Sequence, residues 1–291
     1  MTEKLNERPW YEFLESPLGG RNCKPRETGL TMVIDKGRGY IETEELLELA
    51  SDYIDFIKLG FGTSALYSAH LLRRKIELVK SKGVHIFPGG TFLEIAVMQG
   101  KLKEYLHLTK ELGYTAVEVS DGTINMSAAV REEAIKRAAD MGLMVLSEVG
   151  KKDERDHVEL MGLGELIATD LNNGAYKVIV EGRESGKGVV IYDNKGEIKQ
   201  DEFDILKASI EDYNDILWEA PMKQQQHELI MTFGPNVNLG NIQPSEVLAV
   251  EALRRGLRGD TLRNCIHEKE ERSIASDPGE TLSNEGMVDD L

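Results

Sequence analysis

Residues 54–66 read Ile54-Asp55-Phe56-Ile57-Lys58-Leu59-Gly60-Phe61-Gly62-Thr63-Ser64-Ala65-Leu66. A short apolar run carries one lysine, breaks at glycine, and opens on small hydroxyl residues ahead of a helical stretch at 70–82. That order is a strand, a turn and a helix. A lysine inside so apolar a strand must face a pocket or a partner acid. Gly60, Gly62, Thr63 and Ser64 offer free N–H groups at a helix start, which suits an anion, although a plain cap serves Thr63 equally well.

Seven comparable runs lie on either side at about thirty-residue spacing, a unit size that suits β/α repeats. They are TMVID (31–35), VHIFP (84–88), AVEVS (116–120), MVLSE (144–148), KVIVE (177–181), ILWE (216–219) and NVNLG (236–240). Helical stretches at 44–53, 101–112, 130–141 and 245–257 fall between them, and Gly83, Gly113 and Gly142 close three of the helices. The runs are short and nearly continuous in apolar character, as in a parallel sheet buried on both faces. Eight such units predict a single (β/α)8 TIM barrel of about 250 residues. The rival, an open doubly wound sheet, carries a glycine fingerprint after its first strand, and none follows here. The barrel is placed at 26–262, with an N-terminal arm at 1–25 and an acidic tail at 263–291. Trp10, Tyr11, Phe13 and Leu14 are the arm's docking candidates. From Glu268 onward the chain has no apolar stripe and is expected to lack fixed structure.

In such a barrel the C-terminal strand ends face the catalytic mouth. Period-two alternation puts Asp35, Val33 and Thr31 toward the interior and Met32 and Ile34 toward the helices. By the same rule Lys58 goes with Gly60, Glu118 with Ser120, Glu148 with Leu146, Glu181 with Ile179, and Asn238 with Gly240. Polar groups from several strands then converge on one end.

The composition narrows the function. The 51 acidic residues against 35 basic ones give a formal charge of −16, which argues against nucleic acid and anionic membranes as partners. Neither a membrane-length apolar run nor a signal-peptide pattern is present, and only Cys23 and Cys265 occur, so a reducing cytoplasm is expected. An anionic substrate would need a local cationic site or a metal.

Each candidate residue has a plain reading beside its chemical one. Asp35 binds a metal, orients a lysine, or caps the next loop. Thr91 and Glu94 fit a capping box, and His85 packs in or under the barrel. Glu148 is followed by Lys151 and Lys152; one of the two lysines is taken as a solvated charge, and a pocket lysine can have its pKa lowered to ~7–8 for proton transfer. Arg183 suits bidentate phosphate or carboxylate binding. Glu219 pairs with Lys58 or with Arg183. Gly240 and Asn241 fall where barrels bind phosphate, after the eighth strand, and Ser245 reads as a helix cap.

The stretches GLTMVIDKG, IDFIKLGFGTSAL, PGGT, EVSDGTI, SEVGKKD, VIVEGR, WEAP and NVNLGNI, spanning about residues 24–259, together resemble the phosphosulfolactate synthase family. The resemblance implies a TIM barrel and Mg²⁺-dependent addition of sulfite to phosphoenolpyruvate, giving 2-phospho-3-sulfolactate through an aci-carboxylate. In methanogens that product feeds coenzyme M, and in some spore-forming bacteria it leads to sulfolactate. Members often assemble, so a homo-oligomer is expected. Carried onto this chain, Lys151 is the proton donor. Glu148, Glu181 and Asp121 form the metal shell, with Asp35 as a substitute for Asp121. Lys58, Gly60 and Arg183 hold substrate anions, with Gly240 and Asn241 at the phosphate. The same family includes plant heat-stress-associated proteins, so a non-catalytic interaction barrel is one alternative. An enolase-like or aldolase-like enzyme with another nucleophile is the second.

Overall fold

The computed structural model describes residues 8–151 and 160–276; Lys152 and the tail beyond Ser276 lie outside them. Eight strands build the wall: β1 (Thr31–Asp35), β2 (Phe56–Leu59), β3 (His85–Pro88), β4 (Ala116–Val119), β5 (Met144–Val149), β6 (Lys177–Val180), β7 (Ile216–Glu219) and β8 (Asn238–Ile242). All paired neighbours are parallel, in the order β3-β2-β1-β8-β7-β6-β5-β4. The outermost strands, β3 and β4, meet at a seam. There the Thr115 N–H donates to the Ile86 carbonyl at 3.2 Å, and the Ile86 N–H donates to the Thr115 hydroxyl at 3.0 Å. The result is a nearly closed TIM barrel, as the repeat predicts.

Ten α-helices surround it among the described residues: α1 (Tyr40–Ala50), α2 (Ala69–Ser81), α3 (Gly90–Met98), α4 (Leu102–Leu112), α5 (Ala128–Asp140), α6 (Leu160–Asn172), α7 (Gln200–Ser209), α8 (Lys223–Phe233), α9 (Val247–Arg254) and α10 (Gly259–Ser276). α2 shows why these segments are helical. Ser68 caps it by accepting the Leu71 N–H, and Leu72, Ile76 and Val79 form one buried stripe. Between wall and helices lies a layer that includes Val33, Ile57, Val178 and Trp218. Inside the barrel lies a second layer, with Met32, Phe56, Phe87, Leu146, Ile179 and Leu217. Each fully buried aliphatic side chain contributes about 1.5–3 kcal/mol, so these layers dominate stability. None of the described helices is long and apolar enough to cross a membrane.

Two expectations about the strands need correction. In β1 the inward residues are Met32 and Ile34, while Val33 packs outward and Asp35 meets Lys75 of α2 at 2.6 Å. The expected facing of that strand is reversed, because moving the frame by one residue exchanges the faces. The eighth strand begins two residues late, at Asn238. Its register against β1 runs from Thr31↔Leu239 to Val33↔Ile242, so β8 carries one extra residue, a bulge. Asn241 sits in it at φ 53, a left-handed conformation that asparagine tolerates.

The first described residues pack at the base, against the end of α9. α10 crosses the boundary expected at 262, with Thr261 and Cys265 buried. Trp10 and Phe13 are 69% and 70% exposed, so the arm is held by other groups. Arg21 pairs with Glu251 at 3.0 Å, and the Leu18 N–H donates to the Arg255 carbonyl at 3.1 Å. Beside them Arg26 pairs with Asp55, and the buried Arg254 donates to the carbonyls of Pro235, Val237 and Leu30.

Candidate active site

At the opposite end, four strand-end glutamates surround one lysine. Lys58 Nζ on β2 lies 2.9 Å from Glu118, 3.0 Å from Glu219 and 3.7 Å from Glu148. Burial alone would depress the Lys58 pKa, but Glu118, Glu219, Glu148 and Glu181 together raise it well above the ordinary lysine value. Lys58 is therefore an ammonium. The alternatives left open for Glu219 resolve to Lys58.

Backbone N–H groups aim the acids. Gly90, at the start of α3, donates to Glu118 at 2.8 Å, and Gly182 donates to Glu219 at 3.0 Å. Arg183 donates its N–H to Glu181 at 2.5 Å. Glu148, Glu181 and Glu219 are each 1% exposed, and one oxygen from each lies within 4.8 Å of the others. Three buried carboxylate oxygens at that separation could hold a divalent cation, since such ions take hard oxygen ligands, so the donor set fits a cation of that class.

Above the acids opens a cavity of about 420 Å³, lined by Ile34, Lys58, Phe61, Thr91, Glu118, Glu181, Arg183, Glu184, Ser185, Glu219 and Asn241 among others. Arg183 has a left-handed backbone, φ 58, and its carbonyl accepts from Asn241 Nδ2 at 3.2 Å. Asn241 Oδ1 is buried without a hydrogen-bond partner. These two residues join the β6 and β8 ends at the mouth.

Other expected residues lie elsewhere. Gly240 is inside the wall, where an added Cβ would come within 2.4 Å of Leu217 and 2.7 Å of Met32, so its lack of a side chain serves packing. Gly60 donates its N–H to the Asp35 carbonyl at 2.8 Å and accepts from Thr63. Asp35 also accepts from the N–H groups of Gly37 and Arg38, the loop-cap role weighed for it. Asp121 faces Arg131 at 3.1 Å and Lys151 at 3.4 Å, away from the three-glutamate group. Lys151 donates to the carbonyls of Asp121 and Ile124 at 2.7 and 3.1 Å, in the loop after β4.

Two side chains emerge that sequence reading missed. Glu94 leaves the expected capping box, because α3 starts at Gly90 with Gly89 as its N-cap. Its carboxylate instead accepts from Ser120 at 2.7 Å and from the Thr123 N–H at 3.0 Å, and Ser120 also meets Glu148 at 2.7 Å. Arg131 of α5 is 4% exposed and bridges Asp170, Asp121 and the Glu148 carbonyl. It fixes the end of β5 on which Glu148 stands. Nothing in its helical charge pattern distinguishes it.

The family model described as (2R)-phospho-3-sulfolactate synthase (ComA) matches residues 19–260. A phosphosulfolactate synthase of Methanothermobacter thermautotrophicus is 45% identical over 254 residues, covering 87% of this chain and 97% of the relative. One of Methanocaldococcus jannaschii is 46% identical over 237 residues, covering 81% and 94%. Among solved structures, a 3-hexulose-6-phosphate synthase of Salmonella typhimurium superposes with a TM-score of 0.52 at 13% identity, covering 77% of this chain and 98% of that one, which shows the shared fold alone. The chain belongs to the phosphosulfolactate synthase family of enzymes.

Proposed function

We propose that this enzyme adds sulfite to phosphoenolpyruvate in a Mg²⁺-dependent reaction, giving 2-phospho-3-sulfolactate in the cytoplasm. The observation that carries the reading is the group of three buried glutamates beside an ammonium, under a cavity of small-substrate size. Both reactants are anions, and two unit charges at ~4 Å repel by about 4 kcal/mol at an effective dielectric near 20. Such a pair needs concentrated positive charge. Lys58 and Arg183 hold the substrate anions, with Asn241 at the phosphate. A divalent cation held by Glu148, Glu181 and Glu219 would supply further positive charge to stabilise the electrons that pass to the substrate carboxylate.

Sulfur bonds to the methylene carbon, the double-bond electrons pass to the carboxylate, and the carbon bearing phosphate then takes a proton. Two ammoniums are candidates for the donor. Lys58 is held by three carboxylates, which favour its charged form. Lys151 donates mainly to carbonyls and is about one quarter exposed, in the loop that follows β5. Lys151 is assigned as the donor. Arg131, held by Asp121 and Asp170, keeps the β5 end in place.

The test is phosphorus NMR of the protein with phosphoenolpyruvate, sulfite and Mg²⁺, repeated without sulfite and with EDTA. A new phosphate-ester signal that needs both sulfite and metal supports the reading. No signal, with phosphoenolpyruvate and Mg²⁺ still binding, points to another nucleophile.

A further inference from the structure

Phe61, at the mouth, occupies a position where backbone chemistry favours glycine. The Thr63 N–H donates to the Gly60 carbonyl at 3.2 Å, closing a four-residue turn. Its central residues are Phe61, at φ 57, and Gly62, at φ −95 and ψ 19. Those signs match a type II′ turn, whose first central position favours glycine. A glycine stands on each side of Phe61, yet the strained position carries the ring. The neighbouring loop holds it there. Gly89 donates its N–H to the Leu59 carbonyl at 2.8 Å, and an added Cβ on Gly89 would lie 2.9 Å from Phe61 N.

Backbone strain of this kind concentrates at functional sites. Packing does not explain the ring, because Phe61 is 46% exposed. It lines the cavity with Ile34, and these two are the large apolar groups in a lining that otherwise carries Lys58, Glu118, Glu181 and Arg183. A small enol phosphate is charged at its phosphate and carboxylate. Only its carbon–carbon double bond is apolar.

We propose that Phe61 is the substrate-covering residue, its ring lying over the double bond and keeping water from the reacting carbon. The inference rests on the addition reaction proposed above. Water competes for the same carbon: its oxygen bonds to the methylene carbon, the double-bond electrons pass to the carboxylate, and a proton goes to the carbon bearing phosphate. The product is 2-phosphoglycerate, with no oxidant or reductant needed. Both nucleophiles would use the same acids and lysines, so access to the carbon decides between them.

The test compares wild type, Phe61→Gly and Phe61→Leu. Glycine removes the ring and relieves the positive φ, so Phe61→Gly should raise Tm by roughly 2 °C or more. The same variant should form the sulfite adduct at least threefold more slowly and release 2-phosphoglycerate, seen by phosphorus NMR. Phe61→Leu, apolar but still strained, should recover most of the rate without the gain in Tm. A Phe61→Gly protein within threefold of wild type, or one without 2-phosphoglycerate, overturns the assignment. If wild type makes no adduct, the addition reaction fails separately, and the affinity for phosphoenolpyruvate then decides. Weakening by threefold or more in Phe61→Gly supports a covering role. Equal affinity, or no binding by wild type, overturns it.

Discussion

The two ends of this barrel bury charge in opposite ways. At the base, Arg21 meets Glu251, Arg26 meets Asp55, and Arg254 is spent on three carbonyls. Each cation there has its partner within the fold. At the mouth, four glutamates surround one lysine, and three of them bring oxygens within 4.8 Å of one another. Buried like charges at that separation cost stability unless something binds them. The base therefore reads as structure, and the mouth holds a carboxylate group that could bind a metal.

Substitutions should separate the two ends. Lys151→Ala, at the mouth, should cost about 10²–10⁴-fold in turnover while Tm stays close to wild type. Steady-state rates beside a thermal melt check it, and near-normal turnover would remove Lys151 from the mechanism. Arg254→Met, at the base, should lower unfolding free energy by about 3–5 kcal/mol, since it leaves buried carbonyls unpaired. Urea titration reads the loss, and activity per folded molecule should persist. A smaller effect is expected at Glu181. Glu181→Gln should leave the cation-free protein as stable as wild type, or more stable by about 1 kcal/mol, because it removes one of four crowded charges. Added Mg²⁺ should then no longer raise Tm.

The pH limbs make the finest distinction. Burial raises the Glu251 pKa, but Arg21 outweighs it and holds the folded value below the ordinary 4.5. A depressed carboxyl stabilises fully above that ordinary value, and its contribution is lost as pH falls through the folded one. Lys58 is the reverse case. Its folded pKa is raised above 10.5, so its contribution is complete below 10.5 and is lost as pH rises through the folded value. Acid should thus loosen the base, with Glu251→Gln flattening that limb of a stability–pH curve. Alkali should loosen the mouth, with Lys58→Met flattening the other.

The barrel was legible because its strands are short apolar runs at regular spacing, and the mouth was legible because acids end those runs. The facing of β1 was not. All five of its residues are buried, so neither face is marked by polarity, and the partner that draws Asp35 outward is Lys75, an unremarkable lysine in the middle of α2. The shift of β8 was hidden for a similar reason, since a bulge leaves no composition signal beyond Asn241 itself. Glu94 matched a capping pattern and Arg131 an ordinary helix surface. Their roles come from contacts across 10 to 39 residues of sequence, which local spacing does not encode.

The most direct test of the contrast between the ends is a Mn²⁺ titration followed by electron paramagnetic resonance, on wild type, Glu181→Gln and Glu251→Gln. The expected result is one site in wild type, retained in Glu251→Gln and weakened at least tenfold in Glu181→Gln. Equal affinity in all three proteins would contradict the assignment of the mouth glutamates as the cation site.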